Sequence, residues 1–304
     1  MLRIGRDKHI HQFSPENEPA AYVQSGARLL VETWDGLEGA TFSGSSQAEP
    51  VVLPERDTNP STGPVYVDGA RPGDALEVEI HDIRMTTPGY FWLHGAMLEA
   101  GGSGVQRVLL ETQGGGIAFE GRTLPAQPML GVIGTCPAES RWSYENGNHG
   151  GNMDTRVISA GAKVLLPVFV EGRLLALGDA HAAQGDGEAF GQGLEIGAEV
   201  ELTVSIVKDA SIHWPVVFNK ESIACVVSGE DIAEACYTAI HEMTRNLSAW
   251  YGLGSQQAGV LIALYGNLAL CQIVNPLPTV RLEIGRKHIE RFACEALGRF
   301  PALP

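Results

Sequence analysis

The chain has 304 residues, 44% of them hydrophobic, a mean hydropathy near zero and a formal charge of −15. That length and apolar fraction are enough to bury one large core or two smaller ones, which excludes a disordered chain. The negative charge is spread along the sequence, so nucleic acid and anionic membrane surfaces are repelled and make poor partners; a small neutral ligand or a cation suits the field better.

The 37 Gly and 17 Pro point to many short strands joined by tight turns. No stretch approaches the roughly 20 apolar residues that span a bilayer, and the polar start, Met1 to Glu16, lacks an apolar signal core, so a cytoplasmic protein is expected. The cysteines, Cys136, Cys225, Cys236, Cys271 and Cys294, are odd in number and widely spaced. They indicate neither a disulfide framework nor a thiolate zinc site, so a metal here would be held by His, Asp and Glu.

In chain order, His9 and His11 form an i, i+2 pair with no acid beside them. Arg28 to Glu32 reads as a strand ending in Glu32-Thr33-Trp34-Asp35, where Asp35 is either a functional carboxylate at a rigid strand end or a turn former before Gly36. Val65 to Val67, Ala75 to Ile80, Arg107 to Glu111, Lys163 to Val170 and Glu199 to Val207 are further Val/Leu/Ile-rich strands bounded by Gly, Pro or Asp. Their spacing fits a β-sandwich or jelly-roll-like body better than a βαβ fold.

Pro64 to Gly69 leading to Gly73-Asp74, and Pro167 to Gly172 leading to Gly178-Asp179, share an apolar strand and two turns, as two similar β units would. After Gly229, Glu230 to Leu247 and Ser255 to Leu270 carry helical spacing, and Val280 to Ile284 a strand. The expectation is a mainly β fold: a β-rich body over 1–207 carrying the site, with a smaller α+β part over 208–304.

Two segments carry candidate chemistry. In Asn148-His-Gly-Gly-Asn-Met-Asp-Thr155 a glycine pair lets the backbone turn tightly between His149 and the polar residues Asn152 and Asp154; the bland alternative is a surface turn. In Leu177 to Glu188, Asp179 and His181 stand two apart, so an extended segment presents both from one face, as a strand offers an O,N pair to a divalent metal. Asp186 and Glu188 repeat the spacing. A catalytic ion, a structural ion such as calcium, or no ion remain open on spacing alone, and an EF-hand pattern is absent. No G-x-S-x-G elbow or H-E-x-x-H helix is present.

These strings, with the strand end Val31-Glu32-Thr33, the segment Gly69 to Glu79 and the late run Gly266 to Pro276, resemble the acetamidase/formamidase family in the same order, over about Asp7 to Val280. Cys136, and Asn146-Gly147-Asn148 before the glycine pair, depart from the family pattern. The resemblance implies a β-rich, homo-oligomeric, metal-bearing enzyme that hydrolyses formamide, acetamide or a related small linear amide to the acid and ammonia.

On that reading Asp179 and His181, with Asp154 and Asp35, hold an ion, zinc ahead of calcium. Glu188 takes the proton from water and passes it to the leaving nitrogen, and His149, Asn152 and Gln184 orient the amide. The alternatives are hydrolysis of another C–N substrate such as a lactam, or a non-enzymatic metal- or ligand-binding β protein.

Overall fold

A computed structural model describes residues 1–40, 55–94, 105–171 and 173–292. Two large sheets dominate it and, among the described residues, do not close into a barrel. The first has nine strands in the order Leu2–Ile4, Ala27–Thr33, Ala198–Val207, Ala75–Met85, Lys163–Pro167, Val216–Phe218, Ser222–Ser228, Thr279–Gly285 and Gly266–Gln272. The second has ten; its central run is Gly150–Asn152, Met129–Gly134, Arg173–His181, Glu195–Ile196 and Gly89–His94, and Ser61–Val67 also pairs with Arg173–His181.

Period-two alternation explains which faces these strands bury. Val164 and Leu166 point into one apolar cluster, shared with Leu175, Leu177 and Ala180 of the second sheet, while Leu165 between them points into another. The first cluster is the core between the sheets. The second lies under the helices Ile232–Tyr251 and Ser255–Tyr265, on the opposite face of the first sheet. There Val216, Phe218, Cys225 and Val227 meet Ala235, Ala239, Met243 and Leu247, a stripe at helical spacing.

The mainly β fold with a few late helices is as expected. The nine-stranded sheet runs without interruption from the first part of the chain into the last, through the pairing of Lys163–Pro167 with Val216–Phe218. Of the two similar segments, Val65–Val67 belongs to the second sheet whereas Pro167 ends a strand of the first.

The first helix starts where Asp231 accepts the Glu234 N–H at 2.8 Å, and stops at Gly252 in the left-handed region. The second departs from expectation. It begins at Ser255, with Gly254 as its N-cap, but ends at Tyr265 instead of Leu270. Gly266–Gln272 is a strand paired with Thr279–Gly285, because the open edge of the sheet offers this Leu-rich stretch backbone hydrogen-bond partners along one side. Among the described residues, no helix is long and apolar enough to cross a membrane.

Candidate active site

The second sheet brings the two motif segments together. Val132 pairs with Asn152 and Gly134 with Gly150, while Met129 pairs with His181 on the other side. The glycine pair is required at this crossing: Gly150 (φ 94°) and Gly151 (φ 75°) lie where a side chain would strike the backbone of Ile133 and Glu145. Gly131 is required for a different reason. A Cβ there would fall 2.6 Å from Asp179 Oδ2 and against Asp154 Oδ1, so the missing side chain makes room for two carboxylates.

Asp179 is not extended. At φ 51° it shifts the strand's alternation: Leu177 faces the core before it and Ala180 and Ala182 face the core after it. The ladder with Met129–Gly134 keeps its register through this change, and Asp179 and His181 come together beside Glu195. Asp154 (φ 43°) and Glu188 (φ 46°) are also left-handed, an uncommon geometry for non-glycine residues that concentrates at functional sites.

The result is a buried cluster of Asp154, Asp179, His181, Glu188 and Glu195. Its ligand-type atoms fall into two groups within 4.8 Å, Asp154–His181–Glu188 and Asp179–His181–Glu195. Glu195 sits opposite His181 in the ladder, and its Oε1 lies 3.2 Å from His181 Nε2. Gln184 fixes the ring: its amide nitrogen donates to the Asp154 carbonyl at 2.8 Å, so its oxygen faces His181 Nδ1 at 2.7 Å and that nitrogen carries the hydrogen. His181 Nε2 is therefore left facing Glu195 and Asp179, at 3.2 and 3.8 Å.

One imidazole cannot balance four buried carboxylates, and the proton affinities reflect it. Burial, then the charge of Asp154, pushes Glu188 up to about 10. Burial, then Asp179, pushes Glu195 up to about 8 and Asp154 up to about 6. For His181, burial opposes the charged ring, but Glu195 and Asp179 outweigh it and raise the ring well above the usual imidazole range. Asp179 Oδ1 and Glu188 Oε2 are buried with no hydrogen-bond partner. Oxygen and nitrogen donors with unspent lone pairs and excess negative charge fit a divalent cation.

The other residues singled out in the sequence are placed as follows. Asp35 is buried beside Gly36 and accepts from Leu37 N, Gly39 N and the Tyr90 hydroxyl at 3.0, 3.0 and 3.1 Å, so it acts as the turn former. The carboxylates facing the Asn152 amide orient its nitrogen to donate to Asp154 Oδ2 and Asp179 Oδ2 at 3.0 and 3.2 Å. Gln184 is spent on His181 and the Asp154 carbonyl. His149 is buried with its ring edge-on to Phe13, 5.5 Å between centroids, and does not join the acid cluster. Asp186 is held by Arg281 through two 2.8 Å hydrogen bonds and by Arg156 at 3.0 Å.

Sequence reading missed Glu195 and Asn275. Asn275 donates to Asp154 Oδ2 at 2.7 Å and to the Asn152 carbonyl at 2.8 Å. Glu195 lies fourteen positions beyond His181, outside any local spacing; its only signal was an acid opening a short apolar run after a glycine-rich loop.

A cavity of about 170 Å³ opens at this cluster, with Asp179 and Glu195 in its wall together with Tyr90, Trp92 and Gln192. Pockets for drug-sized ligands run from about 300 to 1,000 Å³, so this one suits a molecule of a few heavy atoms. A larger groove of about 1260 Å³ lies around Tyr265, Arg281 and His288, but none of the five cluster residues lines it. Volume alone does not locate the chemistry.

The sequence model of the Acetamidase/Formamidase family matches residues 5–146 and 143–241. A crystal structure of a recombinant predicted acetamidase/formamidase from Thermoanaerobacter tengcongensis superposes with a TM-score of 0.90 at 36% identity, over 96% of this chain and 97% of that one. An acetamidase from Bacillus halodurans gives 0.88 at 35%, over 98% and 100%. A formamidase of Methylophilus methylotrophus is 24% identical over 67% of this chain; the match spans 65% of the formamidase's length, just under two thirds.

Proposed function

Since the chain belongs to the acetamidase/formamidase family, we propose that it hydrolyses the C–N bond of a small linear amide, of the formamide or acetamide type, to the carboxylic acid and ammonia, with a divalent cation at the acid cluster. The observation that carries this reading is the juxtaposition of one oriented imidazole and four buried carboxyls with a cavity sized for a few heavy atoms.

Asp179, His181 through Nε2, and Glu195 would hold the ion: Nε2 is the ring nitrogen left unspent, and Asp179 and Glu195 both line the cavity. Asp35 is left out of this set because its oxygens are already hydrogen-bonded. Zinc is the preferred ion, since imidazole is a poor calcium ligand. Such an ion, when bound, lowers the pKa of water and polarises a carbonyl.

The protein's own groups do the rest. The ligand-type oxygens of Glu188 and Asp154 lie within 4.8 Å of each other, and two carboxyls so close in a buried site resist ionising together, so the pair holds one proton. With a cation at the cluster offsetting the negative charge that, after burial, raises Glu188, and with the pair's one proton on Asp154, the Glu188 carboxylate takes the proton of the attacking water. It delivers that proton to the departing nitrogen, which otherwise leaves as an unstable amide anion. Asn152, Asn275 and Gln184 keep the acids and ring in place. Tyr90 and Trp92 wall the cavity and limit the size of the acyl group.

Glu188→Gln should abolish ammonia release from formamide and acetamide while metal content stays at the wild-type level. Glu195→Gln should lose both. Full activity in either variant would overturn the assignment, and wild-type protein that loads metal yet releases no ammonia from any small amide would overturn the function.

We also propose that the protein is a homo-oligomer. From Asn246 to Val280 there is no Asp, Glu, Lys, Arg or His, in a chain of net charge −15. Val260, Leu264, Leu268, Leu270, Ile273 and Val274 in this run are exposed. An uncharged apolar surface is the part of so acidic a molecule that a second copy can approach without like-charge repulsion. Leu268→Asp should shift sedimentation toward the monomer; an unchanged profile would refute this surface.

A further inference from the structure

The histidine pair near the N-terminus takes no part in the acid cluster, and the fold supplies it with the acid that its own segment lacks. His9 lies in the short strand His9–Ile10, paired with Ser61–Val67, and the i, i+2 spacing brings its ring and that of His11 edge to face, 5.1 Å between centroids. Both Nε2 atoms converge on Glu38: His9 Nε2 is 3.2 Å from Oε1, and His11 Nε2 is 3.7 Å from Oε2. Glu38 itself sits at φ 54°, in the left-handed region that a side chain rarely adopts. The turn that holds it there is pinned by the Asp35 carboxylate, which accepts from Leu37 N and Gly39 N.

The hydrogen bonds of His9 fix which ring nitrogen faces Glu38. Its Nδ1 lies 2.8 Å from the Arg6 carbonyl. A carbonyl only accepts, so Nδ1 carries the hydrogen, and the neutral ring then turns the lone pair of Nε2 toward a carboxylate. Two acceptors at 3.2 Å repel unless something positive lies between them. The arrangement of an Nδ1–H on a main-chain carbonyl with a free Nε2 is the one that orients metal-binding histidines. His11 Nδ1 is buried without a partner, so the chemistry of that ring also falls to Nε2.

The spacing suits a divalent ion as the positive group. Donor atoms bonded at 2.0–2.1 Å in a tetrahedral site lie about 3.4 Å apart. The two observed separations, 3.2 and 3.7 Å, bracket that value. The side chains of His9, His11 and Glu38 retain 17%, 24% and 39% of their exposure, which leaves room for water at a fourth position.

We propose that His9, His11 and Glu38 form a second divalent-metal site, separate from the acid cluster, for a borderline ion of the zinc class. Its occupant clips the N-terminal segment to the turn after Thr33. That turn is the floor of the small cavity: Gly36 N reaches Glu195 Oε2 at 3.4 Å, and Gly36 lines the cavity beside Asp179. The proposal stands whether or not the acid cluster binds metal.

The test is titration of the metal-stripped full chain with cobalt(II), read by equilibrium dialysis and by the visible absorption of imidazole-ligated cobalt. The wild type is compared with Glu38→Gln, His11→Gln and His181→Gln, each checked for native circular dichroism. Glu38→Gln and His11→Gln should each lose one equivalent or weaken it at least tenfold, while the equivalent lost in His181→Gln persists in both. If His11→Gln fails to fold, Glu38→Gln at its half-exposed position carries the comparison. Identical stoichiometry and affinity in Glu38→Gln and wild type would overturn the site and leave a protonated imidazole as the bridge to Glu38. Absence of cobalt at the acid cluster, with the Glu38-dependent equivalent intact, would count against the proposed amidase and not against this site.

Discussion

Acidification from pH 7 toward 4 should act on folding through His149. The ring is buried, and burial, then the charge of Arg141, depresses it from 6.5 to about 3. In the unfolded chain the same ring protonates near 6.5. Because the folded value is the lower one, the unfolded state takes up the proton first. The stability tied to the neutral ring is fully present above about pH 6.5 and falls as pH drops through the window down to about 3.

Each pH unit inside that window is worth about 1.4 kcal/mol, so the loss is about 2 kcal/mol at pH 5 and approaches 5 kcal/mol near pH 3. That is a large share of a typical 5–15 kcal/mol stability. The carboxyls of the acid cluster are raised, and their contribution changes in the opposite direction, so the effect has to be read as a difference between proteins. Urea unfolding of wild type and His149→Gln at pH 7.5, 6, 5 and 4.5 supplies it. The stability of wild type minus that of the variant should decline by about 1.4 kcal/mol per unit below pH 6. Parallel curves would refute the reasoning, since they would mean that the ring is solvated or charged in the native state.

Two further outcomes follow from the acid cluster. Gly131→Ala places a methyl group against Asp154 and Asp179; overpacking of this kind costs about 1–3 kcal/mol, and the substitution should remove metal and amidase activity while the chain remains folded by circular dichroism. Metal-stripped protein should lose thermal stability as pH rises: the folded-state values of Glu195 and Glu188 are raised to about 8 and about 10, so the stability they confer is full below the ordinary carboxyl range and is lost as pH passes through those values. A divalent cation should flatten that decline between pH 6 and 9, and an equally steep decline in Tm with and without the ion would count against the cluster as its seat.

How much of this was legible beforehand depends on whether the signal was local. The strands Ala27–Thr33, Ala75–Met85 and Ala198–Val207 are visible as Val/Leu/Ile runs between turn residues because their faces are buried over most of their length. The helix Ile232–Tyr251 announces itself by its Asp231 cap and apolar stripe. Gly266–Gln272 does not: its Leu and Ala residues favour a helix locally, and only the open edge beside Thr279–Gly285 makes a strand of it.

The site divides in the same way. His181, Asp179, Asp154 and Glu188 lie in two short motifs whose glycines and donor types mark them as candidates before any fold is known, and the structure brings them into one buried cluster. Tertiary structure decided their partners. Glu195 reaches His181 through a ladder pairing, Asn275 reaches Asp154 across the two sheets, and Glu38 reaches His9 and His11 by a turn. It also set the hydrogen bonds of Asp35, Gln184 and Asn152, which spacing cannot foresee. The physical reason is the reach of the forces involved: periodicity and turn chemistry act over a few residues, whereas convergence of charges depends on which strands the sheet sets side by side.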